Sequence, residues 1–178
     1  MVTIDLITGF LGSGKTTFLK KYVEYLMDQG LHIGILENDF GAINVDMLML
    51  HELRGDQCEL EMIAGGCDAE SHRRRFRTKL ISMRMCGYDR VLVEPSGIYD
   101  VDEFFDVLRE EPLDQWYEIG NVIAILDARL ENNLSQQADY LLASEAANAG
   151  KVILSHADAA TREQCEDCLL YTSDAADD

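Results

Sequence analysis

Eight residues near the amino terminus, Gly9-Phe10-Leu11-Gly12-Ser13-Gly14-Lys15-Thr16, narrow the possible folds sharply. They fit G-x-x-x-x-G-K-[ST], a pattern that wraps backbone amides around phosphate. The apolar run from Val2 to Ile7 reads as a strand leading into it. Phe18, Leu19, Tyr22, Val23 and Leu26 follow at helical spacing, so the context is strand, glycine loop, helix. Glycines let N–H groups turn inward without a side chain in the way. The helix start adds its partial positive charge. Lys15 is placed to reach β- and γ-phosphates, and the Thr16 hydroxyl to ligate Mg²⁺. Gly9, Gly12, Ser13, Gly14, Lys15, Thr16 and Thr17 are therefore the expected nucleoside triphosphate cradle.

Strand and helix patterns alternate along the rest of the chain. Strands are expected at Leu31–Leu36, Glu59–Ala64, Arg90–Glu94, Val122–Leu126 and Lys151–Leu154. After the first helix, which stops near Gly30, helices are expected at Ala69–Met85, Val101–Arg109, Asn133–Asn148 and from Ala159. Glu37–Asp46 reads as a loop. Six strands and five helices with short joins predict a three-layer α/β sandwich of the P-loop NTPase kind, with a mostly parallel central sheet. Ligands of such sheets sit outside the carboxyl ends of the strands, where the glycine loop, Glu94, Asp127 and Asp158 all fall.

Three further places carry candidate chemistry. Val91-Leu92-Val93 is a buried-strand pattern ending in Glu94 and followed by Pro95-Ser96-Gly97. An acid there holds Mg²⁺ through water or orients an attacking water, and the Gly97 N–H is placed for a γ-phosphate. Asp39, in the loop after the second strand, is the candidate sensor of Mg²⁺ and the γ-phosphate, while Asp46 suits a cap for Met47-Leu48. Lys15, Glu94 and Asp39 are thus the candidates for carrying hydrolysis, and no general base stands out. Finally, Ser155-His156-Ala157-Asp158 follows the last strand. An acid at that point accepts the N1–H and N2–H of guanine, which adenine does not offer. Many GTPases present Asn-Lys-x-Asp here, so Ser155 and His156 weaken the guanine signal while Asp158 keeps it. The competing structural role for Asp158 is to cap the segment from Ala159.

The 178 residues are 47% hydrophobic, enough for one domain with a substantial core, and carry a formal net charge of −18. That charge argues against nucleic acid as a partner. No apolar run suits a membrane span and no basic leader precedes the first strand, so a cytoplasmic setting with reduced thiols is expected. The basic stretch Arg73, Arg74, Arg75, Arg77, Lys79, Arg84 reads as one solvated helix face, with docking of an acidic partner or phosphate as the alternative. Cys168–Asp178 resembles the translation of a sequencing-adapter end, so residues 1–167 are taken as the domain and 168–178 as a scar. On that reading the C-x-x-C of Cys165 and Cys168 is an accident of the junction.

Several stretches together resemble the CobW–HypB–UreG metallochaperone GTPases, and their CobW-like branch in particular. They are Thr8 to Thr17, Glu37-Asn38-Asp39-Phe40-Gly41, Gly65-Gly66-Cys67, Glu94-Pro95-Ser96-Gly97, Leu126-Asp127-Ala128 and the Asp158 site. The resemblance implies slow GTP hydrolysis gating insertion of zinc, cobalt or nickel into a client metalloprotein, a nucleotide-dependent homodimer, and a further C-terminal domain that this chain would lack. The branch usually carries Cys-x-Cys-Cys, whereas here only Cys67 of Cys67-Asp68-Ala69-Glu70 is a thiol. Cys67 with His72 would make a mixed site suited to Zn²⁺, Co²⁺ or Ni²⁺; otherwise Cys67 is a small loop residue. Cys58 and Cys86 are expected as core thiols, and His32 and His51 as structural. Two other readings compete: an ATP-dependent P-loop kinase, and a nucleotide-dependent regulator that binds no metal.

Overall fold

The computed structural model describes residues 1–10, 12–39, 50–64, 69–95, 101–129, 147–166 and 168. Six strands form one sheet: β1 (Val2–Thr8), β2 (Ile33–Asp39), β3 (Cys58–Ala64), β4 (Arg90–Glu94), β5 (Tyr117–Asp127) and β6 (Lys151–Ser155). Their order is β3-β2-β4-β1-β5-β6 and every pairing is parallel. All six carboxyl ends therefore share one edge of the molecule. The helices are α1 (Lys15–Asp28), α2 (Ala69–Arg84), α3 (Val101–Leu108) and α4 (Leu113–Trp116), with a further helical stretch over residues 162–166.

The handedness of parallel crossovers explains the layers. From β1 the chain passes over β4 to reach β2, while β3, β4 and β5 step back the other way. With every crossover right-handed, opposite steps place their helices on opposite faces. Two core clusters follow. On one face Leu19, Val23 and Leu26 of α1 pack on Ile7, Ile33, Ile35, Leu92, Ile123 and Ile125. On the other, Phe76, Leu80 and Met83 of α2, with Phe104 and Val107 of α3, pack on Ile4, Leu6, Leu36, Val91 and Val93. Neighbouring residues such as Leu92 and Val93 fall into different clusters, which is the period of two expected of a strand buried on both sides. Phe76 and Phe104 are fully buried with ring centroids 6.3 Å apart.

The fold is the expected α/β sandwich, with differences at particular elements. The loop predicted from Glu37 begins as strand: β2 continues to Asp39 because Glu37, Asn38 and Asp39 pair with Met62, Ile63 and Ala64. The strand predicted at Val122–Leu126 starts at Tyr117, where alternation is broken by exposed residues at the rim of the sheet. Its bulge against β1 lies between Ile4 and Leu6. There the buried Asp5 carboxylate accepts the Asn121 N–H at 2.7 Å and the Tyr22 hydroxyl at 2.9 Å, with Arg90 Nη1 at 3.3 Å. The short α4 was not anticipated. Most of the helix expected over 133–148 lies outside the described residues.

Candidate functional site

At the carboxyl end of β1 the chain turns under β5. Gly9 takes φ +142°, and a methyl group there would collide with the Ile125 carbonyl oxygen. Only glycine satisfies both demands. Ser13 N–H donates to Phe10 O at 3.1 Å, and Gly14, at φ +92°, caps α1 without a side-chain bond. The first turn of α1 contains no acid, so its positive end is left for an external anion. Lys15 is 8% exposed, and its Nζ donates to Gly9 O at 2.7 Å and Phe10 O at 3.0 Å, which curls the loop over its own ammonium. The buried Ser13 hydroxyl has no hydrogen-bond partner among the described residues. Such a group favours an incoming oxygen acceptor. Thr17 is exposed on the outer side of α1.

The acids lie on the adjoining strands. The Thr16 hydroxyl donates to Glu94 Oε1 at 3.2 Å, across 78 positions of sequence. Glu94 ends β4 opposite Glu37 in the parallel register with β2. Both carboxylates are buried, Glu37 at 3% and Glu94 at 8% exposed. A hydroxyl and carboxylates beside a phosphate cradle are hard oxygen donors, the set that suits Mg²⁺. Asp39 terminates β2 opposite Ala64; its side chain, like Gly97 and Asp46, lies outside the described residues. Glu37 was not singled out from sequence. Its signal was an acid directly continuing the apolar Ile33–Leu36 run, in a strand buried on both faces.

The other half of the cleft is made by β5 and β6. Ser155 Cβ sits 3.7 Å from where a Cβ on Gly14 would be, so the end of β6 abuts the glycine loop. The Ser155 hydroxyl bonds Leu126 O at 3.1 Å and lies 3.2 Å from His156 Nδ1. His156 adopts φ +52°, uncommon for a residue with a Cβ, and its Nδ1 is 3.2 Å from Asp127 Oδ2. Arg129 clamps Asp127 with Nε at 3.0 Å and Nη2 at 2.7 Å. Chiefly through that bond, the Asp127 carboxyl is held down to about 2. Arg129 also feels the charge of Asp158, which is exposed. Asp158 does not cap the last helix. Thr161 does: its Oγ1 accepts the Gln164 N–H at 3.2 Å while Gln164 Oε1 accepts the Thr161 N–H at 2.8 Å, a reciprocal box at the start of 162–166. Arg129 was also missed from sequence. The Asp-x-Arg spacing just past a strand was its only trace.

The proposed metal pair is not brought together among the described residues. Cys67 lies outside them. His72 is buried on α2, its Nδ1 3.2 Å from Glu103 Oε1 in the first turn of α3. That contact ties the ring to the α2–α3 packing through Nδ1. Burial pushes the Cys58 thiol up to about 11, as befits a core residue, but Cys86 is exposed at the end of α2, contrary to expectation, because it falls in the turn after the apolar stripe. His32 stacks edge-on against Tyr88, and His51 meets Arg54. Among the described residues no helix is long and apolar enough to cross a membrane.

A parallel sheet with a glycine cradle, a buried lysine and a Thr–Glu pair at its carboxyl edge defines a P-loop nucleotide-binding domain. The family model for the CobW/HypB/UreG nucleotide-binding domain matches residues 3–176, and the chain belongs to that family. The match runs through most of the Cys168–Asp178 stretch. Among curated relatives, the chain is 28% identical over 164 residues to the zinc chaperone YeiR of Escherichia coli, covering 92% of this chain and 49% of YeiR. It is 29% identical over 171 residues to the zinc chaperone YjiA of the same organism, covering 89% of this chain and 50% of YjiA. It thus spans about half the length of these relatives. The solved Zn(II)-bound YjiA GTPase superposes with TM-score 0.61 at 20% identity, over 97% of this chain and 54% of that one. The signal recognition particle receptor FtsY of Elizabethkingia anophelis, in complex with GDP, gives 0.65 at 19% identity, over 93% and 52%. At such identities these structures speak for the fold.

Proposed function

We propose that this chain is the GTP-binding and hydrolysing part of a switch protein that gates zinc delivery to a client metalloprotein in the cytoplasm. The observation that carries the reading is the cluster of Lys15, Thr16 and Glu94 around a glycine loop whose helix end bears no acid. Lys15 would release Gly9 O and Phe10 O for the β- and γ-phosphates, and the Ser13 hydroxyl would gain an acceptor. Thr16, Asp39 and Glu94 would hold Mg²⁺. The chemistry supplied there would be neutralisation of the charge that develops on the phosphates. Glu94, which Pro95, Ser96 and Gly97 follow in the sequence, would report the γ-phosphate to the neighbouring β2 end. Asp158, with Ser155 and His156 bordering it, would select guanine. Zinc would use the Cys67 thiolate, and a homodimer would supply donors that a lone thiol lacks. The relatives' description as zinc chaperones supports this assignment over cobalt or nickel.

Calorimetry with Mg·GTP and Mg·ATP, on wild type and Lys15→Ala, tests the nucleotide step; phosphate release tests hydrolysis. Equilibrium dialysis against zinc, with and without GTP, tests the gating. Zinc affinity that ignores both nucleotide and Cys67→Ala would leave a nucleotide-dependent regulator and end the chaperone reading.

A further inference from the structure

Away from the nucleotide cleft, a cavity of about 490 Å³ lies between β3 and α2, lined by Met62 and Ile63 on the strand and by Arg74, Arg75, Thr78 and Lys79 on the helix. The structure divides the basic stretch that sequence reads as one solvated face. Arg73 and Arg77 turn to Glu110 beyond α3, at 2.6 and 3.0 Å. Lys79 is neutralised by Glu61 at 2.6 Å. Arg74 makes no ion pair among the described residues, and it stands exposed beside Arg75. In a chain of net charge −18 this groove is a local exception, where an acidic partner is attracted rather than repelled.

The strand beside it is equally particular. Among the described residues β3 has a strand partner, β2, on one side only. Beyond Cys58, whose N–H and C=O bond Gly55, its outer N–H and C=O groups have no strand partner among the described residues and offer a template for an extended segment. Its own acids do not guard that edge: Glu59 accepts the Tyr88 hydroxyl and Glu61 accepts Lys79, both on the helix side.

We infer that the β3–α2 groove receives an extended acidic segment of the client protein, added alongside β3, with carboxylates on Arg74 and Arg75 and an apolar side chain against Met62. The inference rests on the switch reading above and names where the client sits. β3 ends at Ala64, three positions before Cys67, so in the sequence the docking strand leads directly into the thiol.

The probe is a fluorescein-labelled eight-residue peptide of alternating Glu and Val, followed by anisotropy with the full chain. Saturable binding is expected, falling as salt rises and weakened about tenfold or more by Arg74→Glu with Arg75→Glu. Phosphate release by that variant should match wild type, since neither arginine belongs to the cleft, and this also reports that the variant is folded. A peptide with Lys for Glu, and one N-methylated at alternate amides, should not bind. Equal binding by either control peptide, or by the double variant, overturns the proposal. So does arginine-dependent capture of phosphatidylserine vesicles with no capture of the peptide. Peptide binding without nucleotide binding would keep the groove and sink the switch; nucleotide binding without peptide binding would do the reverse.

Discussion

At the carboxyl ends of β1, β2 and β4 the charged and hydroxyl groups are enclosed: Lys15, Thr16, Glu37 and Glu94 are all 8% exposed or less. At the carboxyl ends of β5 and β6 they stand in water, with the Arg129 side chain 47% and the His156 side chain 37% exposed. The first half works at low dielectric, where each hydrogen bond is strong and each orphaned group costly. The second half is screened, so its ion pairs count for little in stability and can be exchanged at low cost. On the proposed reading, this is why the glycine-loop half keeps the full G-x-x-x-x-G-K-[ST] pattern, while the β5–β6 half, where guanine would bind, tolerates Ser155 and His156 where many GTPases have Asn and Lys.

That contrast can be broken most forcefully at Gly9. Gly9→Ala should abolish the heat of Mg·GTP binding and lower the melting temperature, because the methyl meets the Ile125 backbone rather than a movable side chain. A variant that melts and binds like wild type would mean the loop is not held against β5. Lys15→Ala comes next. Losing charge-assisted bonds of about 1.5–3 kcal/mol each should weaken Mg·GTP by about 10- to 100-fold in calorimetry. Glu94→Gln preserves shape but removes charge beside Thr16, and should slow phosphate release about tenfold while changing nucleotide affinity less.

Changes in the solvated half should be gentler. Asp158→Asn is expected to narrow the preference for GDP over ADP by about fivefold in competition binding, with little change in the melting temperature. Unchanged selectivity would move guanine recognition elsewhere. The smallest effect belongs to Arg129. Asp127 titrates near 2 in the fold against an ordinary 3.8, so its ionised form adds stability above pH 3.8 that drains away as pH falls toward 2. Arg129→Ala should flatten that acid limb in urea-unfolding midpoints measured from pH 7 to pH 2, by slightly lowering the midpoint above pH 4 and leaving it unaltered near pH 2.

The resemblances and differences between expectation and structure follow the same divide. The glycine loop was legible because its eight residues are contiguous and their job is local. The strands were legible where both faces are buried, as in Val91-Leu92-Val93. The start of β5 was not, since Tyr117–Asn121 alternates irregularly around exposed positions. Asp158 as a helix cap failed because Thr161 and Gln164 three positions later form the better box. The basic stretch misled for a different reason: which of its cations meet a carboxylate depends on Glu61 and Glu110, from other elements.

From the order of residues alone came the phosphate cradle, the alternation of strand and helix, and hence a sandwich whose chemistry gathers at one edge. Local backbone geometry and apolar periodicity suffice for those, because both are properties of short segments. The partnership of Thr16 with Glu94, the placement of Glu37 beside it, the Arg129–Asp127–His156 cluster and the open β3–α2 groove were settled only by the sheet. Strand order brings together residues dozens of positions apart, and no short segment carries that information.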